Sequence, residues 1–299
     1  MPLRAIFFGT PALSVPSLEA LASIATVVGV VCQPDKPARR GMKLAAPPVK
    51  ERALAMGLPV VQPAKLRTGE FGAWVREQNA DVALVIAYGR ILPEDVLAGP
   101  RLGCVNVHAS ILQKYRGAAP IAWAILRGES ETGVTLMKMD AGMDTGDILE
   151  IRKTPIGEEE TAGELGVRLG ELGATAVRES LPRYVRGELP ATPQDHEHAT
   201  TAPLLEKEMG VIDWSKSSRE VHDHVRGMNP WPMAFTFLER WQLAPSGPSG
   251  HSPVGGSPGG SPREGGGAPL SPPPRNRIRV IVHRTKKVEG SVGRPVAPG

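Results

Sequence analysis

The chain has 299 residues, enough for two domains with buried cores. Apolar residues make up 41%, an ordinary share for a globular protein, and the net charge of +4 is compatible with a nucleic-acid partner without arguing for one. Two cysteines, Cys32 and Cys104, exclude a disulfide framework and a zinc spacing, and both lie in apolar runs that predict buried, reduced thiols.

The first strand is predicted at Arg4–Phe8, ending in Gly9-Thr10-Pro11. This start lacks the order of segments of a signal peptide. The apolar run from Ile24 to Cys32 is too short to span a bilayer, so a soluble cytoplasmic protein with no membrane partner is expected. Gly9-Thr10-Pro11 lacks the glycine triplet of a dinucleotide fingerprint, and no Gly-Lys-Ser/Thr phosphate loop follows, which argues against a nicotinamide enzyme. Val15, Leu18, Leu21 and Ala22 then repeat at helical spacing. Further strands are predicted at Thr26–Cys32, Pro59–Val61, Asp81–Ala87, Gly103–His108 and Thr132–Met139. Helical patterns at Val49–Met56, Phe71–Gln78 and Ile121–Leu126 alternate with them. The alternation predicts an open α/β sheet, mainly parallel in its first half, with ligands beyond the carboxyl ends of its strands. Gly9, Tyr88-Gly89-Arg90 and His108 all fall at such ends.

Thr161-Ala162-Gly163-Glu164 is a capping box opening a long helix, whose Leu165, Leu169, Leu172 and Ala176 mark a core-facing stripe. Residues 187–203 read as a linker, with His196 and His198 as solvated loop histidines. A second unit begins near Leu204. Ser217–Glu220 is another capping box, and Asn229–Phe235 leads into a strand. Residues 244–275 are Pro/Gly/Ser-rich and are expected to be disordered, before a β pattern resumes at Arg277–Val282.

The chemistry concentrates in Asn106-Val107-His108-Ala109-Ser110 and in Asp140-Ala141-Gly142-Met143-Asp144-Thr145-Gly146. Strand alternation puts Asn106 and His108 on one face, roughly 6.5–7 Å apart along the backbone. A lone histidine there would ordinarily be a hydrogen-bonded core residue. An asparagine two residues earlier and an acidic Gly-rich loop downstream shift the reading toward a site. An amide, an imidazole and a carboxylate together can hold a developing oxyanion and move protons near neutral pH.

These motifs, with Gln33-Pro34-Asp35-Lys36-Pro37, Tyr115–Ile121, Glu131–Thr135 and Asn229-Pro230-Trp231-Pro232, resemble the methionyl-tRNA formyltransferases from Ile6 to about Phe237. The resemblance implies a Rossmann-like formyltransferase domain over residues 1–186. It implies a small OB-type, tRNA-binding β-barrel over residues 204–299. The implied reaction moves a formyl group from 10-formyltetrahydrofolate to the amine of methionyl initiator tRNA, by a monomer and without a metal. Asn106, His108 and Asp144 are the implied catalytic residues. The implied folate contacts are Tyr88, Gly89, Arg90, Ile91, Leu92, Ser110, Ile111, Leu112 and Gln113. The implied substrate contacts are Gly9, Thr10, Pro11, Arg39, Arg40 and Lys43, the last three in a basic loop that enters the acceptor end of the tRNA.

The chain departs from the family pattern at Gln113, where members usually carry proline. It departs again after Leu243, so that the barrel reads as interrupted and truncated. Two other functions stay open at this point: a folate-dependent formyltransferase acting on a nucleotide sugar or purine precursor, and a non-catalytic RNA-binding protein.

Overall fold

The structure, a computed structural model, describes residues 2–38, 43–240 and 276–286. Arg39 and Arg40, the segment 244–275 and the basic end beyond 286 lie outside the described residues. The strands are β1 (Arg4–Gly9), β2 (Thr26–Val31), β3 (Lys36–Ala38), β4 (Lys43–Ala45), β5 (Val60–Val61), β6 (Val82–Ile86), β7 (Cys104–His108), β8 (Arg116–Gly117), β9 (Glu131–Lys138), β10 (Ile148–Pro155), β11 (Thr201–Ala202), β12 (Ala234–Arg240) and β13 (Asn276–Val282). The helices are α1 (Val15–Ile24), α2 (Pro48–Ala55), α3 (Glu70–Glu77), α4 (Glu94–Leu97), α5 (Pro120–Leu126), α6 (Ala162–Val185) and α7 (Ser218–Gly227).

Seven strands form the central sheet in the order β10-β9-β7-β6-β1-β2-β5. The five from β5 to β7 run parallel, and β9 and β10 continue the sheet antiparallel. In β1 every residue after Arg4 is buried. Such an unbroken apolar run belongs to a strand covered on both faces. Ala5 and Phe7 pack into the core that contains α1, α2, α5 and α6 side chains, whereas Ile6 and Phe8 pack with Phe71, Val75 and Val96 on the opposite face. Cys32 and Cys104 are buried and unpaired, and burial pushes their thiols up to about 11 and about 12 respectively.

The sequence reading had no strand at Ile148–Pro155. Glu150, Arg152 and Lys153 break the apolar alternation there, because β10 is an edge strand and one of its edges meets solvent. The long helix starts at the expected box: the Thr161 hydroxyl accepts from the Glu164 N–H at 3.3 Å, and the Glu164 carboxylate accepts from the Thr161 N–H at 2.9 Å. α6 lies close on the chain entering α1. A Cβ at Gly170 would sit 2.9 Å from the Leu13 carbonyl oxygen, so the approach requires a residue without one.

The region from Leu204 packs α7 against α5 through Ala122, Leu205, Ile212, Val221, Val225 and Met228. Polar contacts reinforce the joint. Arg226 pairs with Asp223 at 2.8 Å, both almost wholly buried, and donates to the carbonyls of Gly157 at 3.0 Å and Glu160 at 3.2 Å. Arg284 pairs with Glu164, whose carboxyl lies at about 2, held down first by the Thr161 N–H and hydroxyl and then by Arg284. Among the described residues this region holds α7 and one antiparallel strand pair, β12 with β13. No helix among the described residues is long and apolar enough to cross a membrane.

At the start of β1, the Asp81 carboxylate accepts from the Arg4 N–H at 3.0 Å and from the Arg101 guanidinium at 2.8 Å. The Arg4 N–H, followed by Arg101, holds this carboxyl below the usual carboxylate range. A depressed folded-state value stabilises the fold above the unfolded-state value, and that stabilisation disappears as pH falls through the folded one. Asp81→Asn is therefore expected to cost about 1 kcal/mol at pH 7. Urea midpoints of parent and variant should draw together as pH is lowered below the usual carboxylate range.

Candidate active site

β7 carries Asn106 and His108 on the same face, and all five of its residues are buried. Val105 and Val107 turn to the α1–α6 core instead. Pairing places Asn106 beside Val85 at the carboxyl end of β6, with His108 two residues further out. Asp144 arrives from the loop between β9 and β10, with its backbone in the left-handed region at φ +53°. Aspartate tolerates that conformation better than most residues.

The three side chains converge. Asn106 Nδ2 donates to Asp144 Oδ1 at 3.3 Å, and His108 Nδ1 lies 3.5 Å from Asp144 Oδ2. The Gly117 N–H donates to the same Oδ2 at 2.8 Å. His108 Nε2 lies 2.9 Å from the Tyr115 carbonyl. A carbonyl only accepts, so this contact calls for a proton on Nε2, with Nδ1 facing the Asp144 carboxylate. A main-chain carbonyl thus holds one ring nitrogen and the Asp144 carboxylate faces the other. Asp144 faces the nitrogen that gains charge when the ring takes up a proton.

The loop after β7 is built around Thr135 of β9. Its hydroxyl donates to the Ser110 carbonyl at 2.7 Å and accepts from the Leu112 N–H at 3.1 Å. Ser110 and Leu112, both predicted folate contacts, are buried; the Ser110 hydroxyl donates to the Lys114 carbonyl at 2.6 Å. Ile111 and Gln113 are half-buried, the Leu112–Gln113 peptide is cis, and Gln113 Oε1 accepts from the Asp195 N–H at 2.7 Å.

The predicted residues of the neighbouring loop divide in the same way. Leu92 joins the core beside Phe71, and the Tyr88 ring packs edge-on to Phe8. The Tyr88 carbonyl accepts from Thr10 Oγ1 at 2.9 Å and Gln33 Nε2 at 3.1 Å, so Thr10 pins the loop. Arg90 donates to the carbonyls of Pro63 and Ala64. Gly89 and Ile91 are exposed, Ile91 at 60%. Gly9 is buried against Phe7 and Ser14, and Pro11 is exposed. Lys43 opens β4, which pairs antiparallel with β3. Lys50 and Gln62 bond Asp35, just before β3.

The sequence reading did not single out the residues that return from the segment 187–203. β11 pairs in parallel with β8, setting Ala202 opposite Gly117. Gly117 adopts φ +122°, and a Cβ there would meet the Ala202 carbonyl oxygen at 2.8 Å. Thr200 Oγ1 accepts from the Tyr115 N–H at 2.9 Å. Gln194, 5% exposed, bonds Arg116 and the Asp144 loop. His196 and His198 are exposed; Arg116 reaches His196 at 3.1 Å, and His198 pairs with Asp195. Proline, threonine and charge along 187–203 read as a connector, and no local periodicity marks contacts to residues some 50 to 80 positions away.

The sheet is mostly parallel, with an amide, an imidazole and a carboxylate gathered at one strand end, and comparison with known families places the chain among the formyl transferases. The family model "Formyl transferase" matches residues 5–181, and "Formyl transferase, C-terminal domain" matches 204–246. The methionyl-tRNA formyltransferase of Sorangium cellulosum (strain So ce56) is 65% identical over 237 residues, covering 79% of this chain and 76% of that protein. That of Acetivibrio thermocellus is 52% identical over 238 residues, with the same coverages. The chain belongs to the methionyl-tRNA formyltransferase family. Among solved structures, the fold is similar to the N-formyltransferase from Helicobacter canadensis in complex with folinic acid and dTDP-3-aminofucose. That match has a TM-score of 0.60 and 22% identity, covering 76% of this chain and 80% of that one. It is similar also to HypX from Aquifex aeolicus, with a TM-score of 0.58 and 20% identity, covering 79% of this chain and 36% of that one.

Thr135→Val keeps the shape but removes both hydroxyl contacts, leaving the Leu112 N–H and the Ser110 carbonyl without them. A cost of about 1–3 kcal/mol is expected, measured as a lower urea midpoint with an unchanged slope.

Proposed function

We propose that this chain transfers a formyl group from 10-formyltetrahydrofolate to the amine of methionyl initiator tRNA, with Asn106, His108 and Asp144 as its catalytic residues. The observation that carries the reading is the convergence of these three side chains at the end of β7, in a family whose relatives bear that name. When bound, the folate supplies the formyl group.

The chain's residues supply electrostatics and proton movement. As the amine attacks the formyl carbon, negative charge gathers on the formyl oxygen. Asn106 has two amide N–H groups, and only one is directed to Asp144. The second donates to that oxygen, an interaction that strengthens as charge develops. The His108–Asp144 pair, facing each other at 3.5 Å, takes up the proton from the attacking nitrogen. The new charge on the ring faces Asp144 Oδ2. His108 returns the proton to the folate nitrogen as its bond to the formyl carbon breaks, which balances the transfer.

Two observations support folate on the Tyr88–Leu92 loop. Tyr88 Oη is buried with no hydrogen-bond partner among the described residues, and Ile91 presents an apolar side chain to solvent beside an exposed glycine. A flat ring with polar edges fits such a surface. Ser110, Ile111, Leu112 and Gln113 shape the opposite loop.

For the tRNA, the reading assigns Arg39, Arg40 and Lys43 to the acceptor end, with Gly9, Thr10 and Pro11 beside the reacting ester. It assigns residues 204–299 to an OB-type domain that holds the tRNA body, supported by the C-terminal family match and the β12–β13 pair. The protein works as a cytoplasmic monomer.

Formyl transfer to methionyl initiator tRNA tests the reading. Asn106→Ala and His108→Ala are each expected to lose about 10²–10³ in kcat while remaining folded. Near-normal turnover in either variant would contradict the assignment. Arg40→Ala should raise KM for the tRNA and flatten its salt dependence. A remote surface arginine variant with the same effect would remove the role of Arg40.

A further inference from the structure

We infer that Gln194 is a positioning residue that acts through Asp144, an inference that rests on the formyl-transfer reading of the same site. Its side-chain amide is fully used, and every bond goes to the architecture around Asp144. Nε2 donates to the Asp144 carbonyl at 2.9 Å and to the Gly146 carbonyl at 2.7 Å. Oε1 accepts two N–H groups of Arg116, at 3.1 Å from Nε and 2.7 Å from Nη2. Arg116 directly precedes Gly117, whose N–H donates to Asp144 Oδ2. Both the backbone and the carboxylate of Asp144 are therefore tied, directly or one residue removed, to this single buried amide.

The need for such a clamp follows from the loop. Asp144 sits at φ +53°, a conformation that persists in a non-glycine residue only where its surroundings over-determine it. The Asn106 contact to Asp144, at 3.3 Å, is too long to fix the carboxylate unaided. Two carbonyls held by one planar amide fix the loop's height over β7, and thereby the gap between Asp144 Oδ2 and His108 Nδ1.

Glutamine is specific for this role. It offers two donors and two acceptors in a fixed plane, matching two carbonyls on one side and a guanidinium on the other. Glutamate would retain the acceptors for Arg116, forming an ion pair, but would set a carboxylate against the Asp144 and Gly146 carbonyls. Gln194→Glu thus keeps the outer half of the clamp and reverses the inner half.

The experiment compares Gln194→Glu in the parent and in an Asp144→Asn background, with thermal midpoints as the folding check. In the parent background kcat should fall about 10- to 100-fold, the scale of a misplacement of about 1 Å. KM for folate should stay within about twofold, because the inferred effect is on Asp144 rather than on binding. In the Asp144→Asn background the same change should cost nothing further, since the group through which Gln194 acts is already gone. Equal losses in both backgrounds would mean a general structural role and would overturn the inference, as would an unchanged kcat.

A second readout does not depend on turnover. The ¹⁵N resonance of His108 Nδ1 should move in Gln194→Glu, and an unmoved signal would overturn the inference. If the parent fails to transfer formyl while the Nδ1 signal moves, the placement of Asp144 by Gln194 stands and the formyl-transfer reading fails. Should Gln194→Glu not fold, Gln194→Ala carries the same cycle and the same resonance test.

Discussion

An amide and an imidazole buried two residues apart on a central strand set the terms for everything around them. Neither can be left unpaired without a penalty of about 1–3 kcal/mol. β7 lies between β6 and β9, so their partners must come from loops at the strand ends. The Tyr115 carbonyl meets the imidazole from the loop that follows β7, and the Asp144 carboxylate meets both groups from the β9–β10 loop. Each loop is then fixed by a further element. Thr135 braces the first, and the segment returning after α6 braces the second.

This layering explains why α6 matters to the site although it supplies none of the site's groups. It carries the chain across one face of the sheet, from Ala162 to Val185, so that residues 187–203 return beside β8. The return is possible because Gly117 lets Ala202 approach its backbone. A bulkier residue at 117 would displace β11 and the Asp144 carboxylate together, because the Gly117 N–H is one of that carboxylate's donors.

How much of this was legible in the sequence depended on whether the signal was local. Buried parallel strands such as Arg4–Gly9 and Val82–Ile86 show as unbroken apolar runs, and the Thr161 and Ser217 capping boxes mark their helices. Asn106 and His108 stood out because strand alternation puts them on one face. β10 was missed because an edge strand tolerates charge, and β8 and β11 because two-residue strands have no periodicity. Gln194 was invisible for a different reason: its partners, Arg116, Asp144 and Gly146, lie 48 to 78 residues away. Nothing in residues 187–203 distinguishes a buried amide from a solvated one. The residues chosen from resemblance in the loops after β6 and β7 mix exposed positions with core ones, because a motif records the whole loop without saying which side chains face inward.

The buried Arg226–Asp223 pair separates two kinds of cohesion that would otherwise respond alike to the medium. Surface charges lose their attraction beyond roughly 10 Å at 0.1 M ionic strength, and less at higher salt, whereas a pair shielded from solvent is screened little. Arg226 spends its guanidinium on Asp223 and two carbonyls of the chain leading into α6, out of reach of mobile ions. Rising ionic strength therefore weakens attractions at exposed lysines and arginines long before it loosens α7 from the sheet domain. Concentrated electrolyte that silences the molecule's surface charges leaves its two regions joined.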